Sequence, residues 1–411
     1  MSNRKPIHAP QTQFQIIDDC LQIGGTSLTR LAQRVGQTPF YAYDRQLLTT
    51  RVRQLRACLP REIKLHYSIK ANPMPALVQH MASLVDGFDV ASGGELKTAL
   101  DTATKPEHIS FAGPGKTDAE LSQAIAAGIL IHLESDRELD RVVRISTAIG
   151  ITPKVVVRVN PDFELKSSGM KMGGGPKQFG IDAEQVPPLL KRIGTAGVDF
   201  HGFHIYSGSQ SLKADAIIEA QSRTFELAFQ LAEYAPTPVR LLNIGGGFGI
   251  PYFAGETSLD LASIASNLAA WMPRVKATLP EAEVVIELGR YLVGEAGIYV
   301  ARVIERKVSR GEVFLVTDGG MHHHLAASGN LGQVIRKNYP VVIGNKMTQA
   351  AREVVSVVGP LCTPLDLLAD KMEMASAEVG DLVVVFQSGA YGLSASPSGF
   401  LGHPVAGEVL V

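Results

Sequence analysis

Between Lys64 and Leu288 the chain keeps one rhythm, in which short apolar runs alternate with longer amphipathic ones. The apolar runs are Lys64–Ile69, Gly87–Ala91, His108–Ala112, Leu130–Glu134, Val155–Asn160, Phe200–Tyr206, Leu241–Ile244 and Val284–Leu288. Their length and content predict strands. The intervening patterns predict helices over Pro75–Leu84, Gly94–Thr102, Asp118–Ala127, Ser135–Ile149, Ala216–Glu233 and Leu259–Trp271. About eight βα units in series constrain the fold to α/β, a (β/α)8 TIM-like barrel with its active site at the carboxyl ends of the strands.

After Tyr291 the rhythm stops. Val300–Lys307, Val313–Thr317, Val341–Ile343, Val354–Val358 and Leu382–Phe386 read as strands with no long helix between them, which predicts a second, all-β domain. The expected organisation is an N-terminal arm (1–38) joining the β domain, a barrel (39–290) and a C-terminal β domain (291–411). In the arm, Leu21-Gln22-Ile23 reads as a strand and Ser27 as the cap of a helix over Leu28–Val35.

A chain of 411 residues suits two domains, and 45% hydrophobic content suits a sizeable core. A formal net charge of -1 provides no field for nucleic acid or an anionic membrane, so neither is expected as a partner. Met1–Gln13 has no apolar core, so no signal peptide is expected, and no apolar run is long enough to span a bilayer. Cys20, Cys58 and Cys362 are far apart without metal-ligand spacing, which suits a reducing cytoplasm. Cys20 and Cys58 are expected to be ordinary buried thiols.

The strand ends carry the chemistry. Lys70 follows the first strand and precedes the Asn72-Pro73 stop. A lysine there can form an imine if its pKa is depressed. Later ends bring Asp89, Ser92, Arg158, Asn160, His204, Ser207, Glu287 and Arg290. Gly245, Gly246 and Gly247 offer bare backbone N–H groups to a phosphate after the seventh strand, where barrels form such sites. A dinucleotide fingerprint fails there, because Ile250 stands where the third glycine is needed. Glu287 can hold a ring nitrogen protonated, and His204 can lie against a ring. Gly173-Gly174-Gly175-Pro176 fits either a mobile active-site loop or a plain linker. His322-His323-His324 would alternate faces on an extended chain, so no metal site is expected and substrate-loop or structural roles are read instead.

These residues sit in motifs that span almost the whole chain. They are Tyr67-Ser68-Ile69-Lys70-Ala71-Asn72, Gly87-Phe88-Asp89-Val90-Ala91-Ser92-Gly93-Gly94-Glu95-Leu96, Arg158-Val159-Asn160-Pro161, Gly359-Pro360-Leu361-Cys362 and Gly389-Ala390-Tyr391-Gly392, with the glycine run and Glu287…Arg290. Together they resemble the fold-type III pyridoxal-phosphate decarboxylases that act on diaminopimelate, ornithine and arginine. The resemblance implies that Lys70 forms the internal aldimine with pyridoxal 5'-phosphate. It implies that Ser207, Gly247, Arg290 and Tyr391 hold the phosphate, Glu287 pairs with the pyridinium nitrogen and His204 stacks on the ring. Asp89 and Arg158 complete the implied cofactor site. Cys362 is the implied acid that reprotonates carbon after CO2 leaves. A homodimer is implied, with Cys362 and Asp366 reaching in from the second subunit. Glu287 in place of the arginine of related racemases favours decarboxylation.

Three departures narrow the substrate. Leu288 replaces the usual proline of the Glu-Pro-Gly-Arg motif. Thr363 follows Cys362, where the basic amino acid enzymes carry an acid for the distal amine. Leu401-Gly402-His403-Pro404 lacks the usual arginine. With Ser168–Pro176 and Gly320–His324, these departures look most like a subgroup associated with exosortase and exopolysaccharide gene clusters, similar to enzymes acting on carrier-protein-linked amino acids. The expected substrate is an amino acid or carrier-linked aminoacyl group, with Asp318, Thr363 and Asp366 as its contacts. The alternatives are a diaminopimelate-type enzyme on a free diamino acid, or a non-catalytic homologue that binds a partner.

Overall fold

The computed structural model describes His8 and residues 11–166, 169–333 and 335–411. The start of the expected arm and Ser168 of the quoted motif lie outside the described residues. The chain divides into two compact units: residues 51–250 with 258–291, and the remainder, namely the residues up to Thr50, Pro251–Thr257 and Leu292–Val411.

The first unit is a closed parallel barrel. Its strands are β1 (Ile63–Ser68), β2 (Gly87–Val90), β3 (Ile109–Phe111), β4 (Leu130–Leu133), β5 (Lys154–Asn160), β6 (Asp199–Ile205), β7 (Leu241–Asn243) and β8 (Glu283–Leu288). Neighbours in sequence are neighbours in the sheet; β8 returns to β1, and β4 pairs with β5 to close the ring. The helices between strands carry strong local signals. Thr117 and Glu120 form a reciprocal capping box at the start of Asp118–Ala127, and Gly128 ends that helix at φ 72°. Ser92 and Ser135 likewise accept from the backbone N–H of Glu95 and Glu138. These caps fix where each helix leaves the rim, and so where the strand-end loops lie.

Several local expectations change. Lys70, expected between the first strand and the Asn72-Pro73 stop, is in a 3-10 turn, Ile69–Ala71, directly after β1. A helix over Val186–Ile193 begins with Val-Pro-Pro, where proline suits a first turn, and went unread in the sequence. The basic helix Arg45–Cys58 was also unread. Cys58, at the end of that helix, is exposed rather than a buried thiol; Cys20 is buried.

The second unit is built on a mixed sheet. Its strands are β9 (Gly297–Ser309), β10 (Glu312–Thr317), β11 (Val341–Ile343), β12 (Arg352–Val358), β13 (Leu367–Ala375) and β14 (Leu382–Val385). The order is β11-β14-β9-β10-β12-β13, with Phe40–Tyr43 pairing β9 and Gly407–Leu410. Phe14, Leu21, Leu28 and Phe40 share a core with Ile298, Val300, Val384 and Phe386. The N-terminal segment is thus packed into this unit by burial of apolar side chains. Ser27 stands at the N-cap of Leu28–Val35, but its side chain makes no capping bond. Among the described residues, no helix is long and apolar enough to cross a membrane.

Candidate active site

The carboxyl end of the barrel interior is polar although it is buried. His66, Asp89, Ser110, His132, Arg158, His204, Asn243 and Glu287 come one from each strand, and none is more than 7% exposed. Strand periodicity explains this, since alternate side chains of every strand point into the barrel. Buried polar groups persist only where they satisfy one another or await a partner.

Two networks organise them. In one, Ser110 donates to Asp89 Oδ1, and His66 Nδ1 lies 3.7 Å from the same oxygen. Asp89 Oδ2 has no partner. In the other, His132 and His204 share a hydrogen bond between their Nδ1 atoms at 2.8 Å. His204 Nε2 lies 3.4 Å from Glu287 Oε1, and Asn243 Nδ2 donates to Glu287 Oε2 at 3.0 Å.

Electrostatics separate the two carboxyls. Burial works against the Glu287 carboxylate, but His204, Lys70 and Arg158 outweigh it and hold its pKa well below the usual value. Burial, then the Glu287 charge, pushes the Asp89 carboxyl up, against the opposing pull of His66 and Ser110. A carboxylate held ionised in a dry site is a strong partner for a protonated ring nitrogen.

Lys70 is exposed at this rim, with Nζ 5.9 Å from the Tyr206 ring centroid. It acts on both Glu287 and Glu95 electrostatically. Arg158 is committed to Glu134, Nη1 to Oε1 at 2.8 Å, and its guanidinium lies over Phe179. Glu134 also accepts from the backbone N–H groups of Gly113 and Gly180. Arg158 therefore braces the loops through Glu134.

The glycine run has no room for side chains. A Cβ on Gly246 would lie 2.1 Å from Glu287 O, and one on Gly247 would lie 2.5 Å from Gly208 O. Gly245 and Gly247 also adopt φ of +67° and +80°, which favours glycine. The Gly245 N–H donates to Asn243 Oδ1 at 2.8 Å, so that amide is already used, contrary to the expectation that all three are bare. Gly246 and Gly247 remain the candidates for a backbone cradle. Ser207, half-buried beyond β6, accepts at its carbonyl from the N–H groups of Met172 and Gly173, each at 3.2 Å. That ties the Gly173–Pro176 segment to the same rim. Arg290 is half-buried as the first residue of the short helix Arg290–Val293.

The second unit holds the other candidates. Cys362 is exposed on the turn between β12 and β13. Asp366 is 3% exposed, and its two oxygens accept from the N–H groups of Met321 and Leu361 at 2.6 and 2.8 Å. Asp318 is engaged in the same way, by Arg302 N–H at 2.8 Å and by the Thr38 hydroxyl. Thr363 Oγ1 accepts from Leu365 N–H at 3.3 Å. Tyr391 is half-buried at φ +52°. His322, His323 and His324 lie in a turn, not on an extended chain. His324 Nε2 meets Ser388 Oγ at 2.9 Å, and the rings of His322 and His323 are 3.7 Å apart. Among the described residues, no group of three His, Cys, Asp or Glu side chains has metal-ligating geometry.

Sequence reading missed His132, Glu134, Asn243 and His66. Each is a lone polar residue inside or at the end of an apolar strand. That intrusion into an otherwise buried run was the available signal.

The comparisons agree with this fold. Residues 45–294 match the model of the family described as pyridoxal-dependent decarboxylase, pyridoxal binding domain. The L-glutamyl-[BtrI acyl-carrier protein] decarboxylase of Niallia circulans is 38% identical over 396 residues, covering 95% of this chain and 92% of that protein. The diaminopimelate decarboxylase of Aquifex aeolicus is 32% identical over 397 residues, covering 96% and 91%. The crystal structure of diaminopimelate decarboxylase from M. jannaschi superposes with a TM-score of 0.87 at 27% identity, covering 97% of this chain and 92% of that one. A parallel barrel with a mostly sheet second unit, an ionised buried glutamate and a glycine cradle at one rim are what a pyridoxal phosphate enzyme requires, and the chain belongs to the pyridoxal-dependent decarboxylase family as a carboxy-lyase of amino acids or their conjugates.

Proposed function

We propose that this enzyme decarboxylates an amino acid whose distal end is neutral or acylated, a glutamate-like or carrier-linked aminoacyl group, and releases CO2 and an amine. One observation carries this reading: the two candidate acids, Asp318 and Asp366, are both anchored by hydrogen bonds and are not free to turn toward a distal ammonium. Both oxygens of Asp366 and both of Asp318 already accept hydrogen bonds, and Thr363 follows Cys362. An ammonium left uncompensated in a partly desolvated pocket costs about 1–3 kcal/mol. The Niallia circulans relative, named for a carrier-linked glutamyl substrate, supports the same choice.

When bound, pyridoxal phosphate supplies an electron sink for the charge left by CO2 loss. The residues present fit that group. The Lys70 amine would hold it through its aldehyde carbon, with water leaving. The backbone of Gly246 and Gly247, with Ser207 and Arg290, would hold its phosphate, and no side chain could replace hydrogen at the two glycines. Glu287 would keep a proton on the ring nitrogen, because its carboxylate is held ionised in a buried site. His204 would lie against the ring, and Arg158 and Asp89 would set the field around it. Cys362 and Tyr391 keep the roles that the family resemblance implies, with the Cys362 thiol as the donor that would return a proton to carbon, whereas Asp366 ties two turns together. A cytoplasmic homodimer fits the three unpaired cysteines and the resemblance.

The test is CO2 release from a panel of free diamino acids, free glutamate and thioester-linked glutamate. Turnover concentrated in the acylated substrates is expected. Efficient turnover of meso-diaminopimelate would replace this reading with the diaminopimelate one, and no cofactor absorbance at all would favour a non-catalytic binding protein.

A further inference from the structure

The Nδ1 atoms of His132 and His204 are 2.8 Å apart, so one proton must lie between them. Both rings are 1% exposed, so bulk water does not reach them. Only two arrangements of neutral rings satisfy the contact. If His204 donates, His132 carries its proton on Nε2, and that atom is buried without an acceptor. The neutral His204 would also turn a lone pair at Nε2 toward Glu287 Oε1, 3.4 Å away, setting electron density against a carboxylate. If His132 donates, its orphaned Nε2 is only an unused lone pair, which is tolerated better than an orphaned N–H. His204 then carries its proton on Nε2, 3.4 Å from Glu287 Oε1, an electrostatic contact with a carboxylate rather than a hydrogen bond. A third arrangement, with His204 cationic, satisfies the contact too. It too requires His132 to carry its proton on the orphaned Nε2, since His132 Nδ1 must then accept.

We infer that His132 is a positioning residue, donating from Nδ1–H to His204 Nδ1 so that His204 is held neutral with its proton on Nε2 toward Glu287. The surroundings agree. Lys116 donates from Nζ to the His132 carbonyl at 2.9 Å and to Glu138 at 2.9 Å, fixing the end of β4. Burial, with the charges of Lys116 and Arg158, disfavours a second proton on His132 against the opposing pull of Glu287. His204 thereby lends Glu287 an N–H without spending its charge, and Asn243 lends another on Oε2. The full carboxylate charge is left for the ring nitrogen. This consequence rests on the cofactor role proposed for Glu287; the proton assignment itself does not.

The experiment is two-bond 1H–15N correlation spectroscopy on protein with 15N-labelled histidine, with and without pyridoxal phosphate. His132→Asn assigns the His132 signal and keeps an N–H donor near the Nδ1 position, whereas His132→Leu removes it. The expected result in the loaded native protein is a proton on His132 Nδ1 and on His204 Nε2. His132→Leu should lose the single His204 tautomer and weaken pyridoxal phosphate binding about tenfold, while His132→Asn should restore the tautomer and hold the loss within about threefold. A His132 proton found on Nε2 overturns the inference, as does an unchanged His204 tautomer in His132→Leu. If the native protein binds no pyridoxal phosphate, the cofactor role of Glu287 fails, and the spectra of the unloaded protein still decide the His132 assignment.

Discussion

Asp89 and Glu287, both buried at the carboxyl end of the barrel, are driven to opposite sides of the ordinary carboxylate pKa, Asp89 upward and Glu287 well downward. The difference lies in their partners. Glu287 faces His204, Lys70 and Arg158, whereas Asp89 faces Glu287 and has one oxygen without a partner. Interacting titratable groups pushed apart in this way mark a site prepared for proton chemistry. The linkage signs follow. Asp89, raised in the fold, contributes stability below its unfolded pKa that is lost as pH rises through the folded value. Glu287, depressed in the fold, contributes stability above its unfolded pKa that is lost as pH falls through the folded value. At pH 7, Asp89→Asn should therefore raise the Tm of cofactor-free protein and Glu287→Gln should lower it, each by about 2–4 °C. Thermal unfolding of the two variants checks this, and shifts of the same sign would contradict it.

Lys70→Ala should remove the long-wavelength absorbance of the cofactor-loaded protein and nearly all turnover, since no other amine stands on the turn after β1. Because Lys70 helps hold Glu287 ionised, the Glu287 carboxyl should also titrate higher in the variant. Retention of the absorbance band by the alanine protein would move the cofactor amine elsewhere.

Most of the barrel was legible because each strand is a short apolar run interrupted by helices with clear caps. Every one of its eight strands lies within a residue or so of its expected bounds. The second unit was less legible. β13 reads Leu-Leu-Ala-Asp-Lys-Met-Glu-Met-Ala, without clean alternation, because it bulges: Lys371 takes φ +47°, and its register against β12 shifts. Gly407–Leu410 pairs in parallel with Phe40–Tyr43, a contact so distant in sequence that no local pattern announces it. In the site, Glu287 and the glycine run stood out by position and composition. His132 did not, since a lone histidine in an apolar strand signals only a buried polar group, and its role shows once a second ring is found against it.

Cys362→Ala should lower kcat by about a hundredfold and raise the share of misprotonated product, with a smaller change in KM, because the thiol acts after substrate is bound. Cys362 is exposed on its turn, and no cysteine partner ties it up. Product partitioning by mass spectrometry in deuterated buffer reads this directly. Unchanged kcat and partitioning would assign the proton to another acid.

Free lysine, ornithine and meso-diaminopimelate should be poor substrates. The expectation began from Thr363, and the hydrogen bonding of Asp318 and Asp366 strengthens it. Asp366 joins Met321 N–H to Leu361 N–H, so it ties two turns together, and turning it toward an ammonium would orphan two buried donors. A Cβ on Gly320 or Gly359 would strike the Asp366 carboxylate at 2.1 or 2.3 Å, so the backbone is moulded around that side chain. Asp318 is held by Arg302 N–H and Thr38. With both carboxylates anchored away from the substrate's distal end, a distal ammonium should lose about tenfold to a hundredfold in kcat/KM, the equivalent of roughly 1–3 kcal/mol. Thr363→Glu should return part of that loss for free diamino acids and reduce turnover of acylated ones, because a new carboxylate on this turn attracts a cation and must be desolvated against a neutral chain. Asp366→Asn separates the structural role from the binding one. A brace should cost thermal stability with every substrate affected alike, whereas an ammonium ligand should cost kcat/KM for diamino acids alone. The measurement is CO2 release from lysine, ornithine, meso-diaminopimelate and thioester-linked glutamate by the native protein and both variants, and efficient use of any free diamino acid by the native protein would refute the assignment.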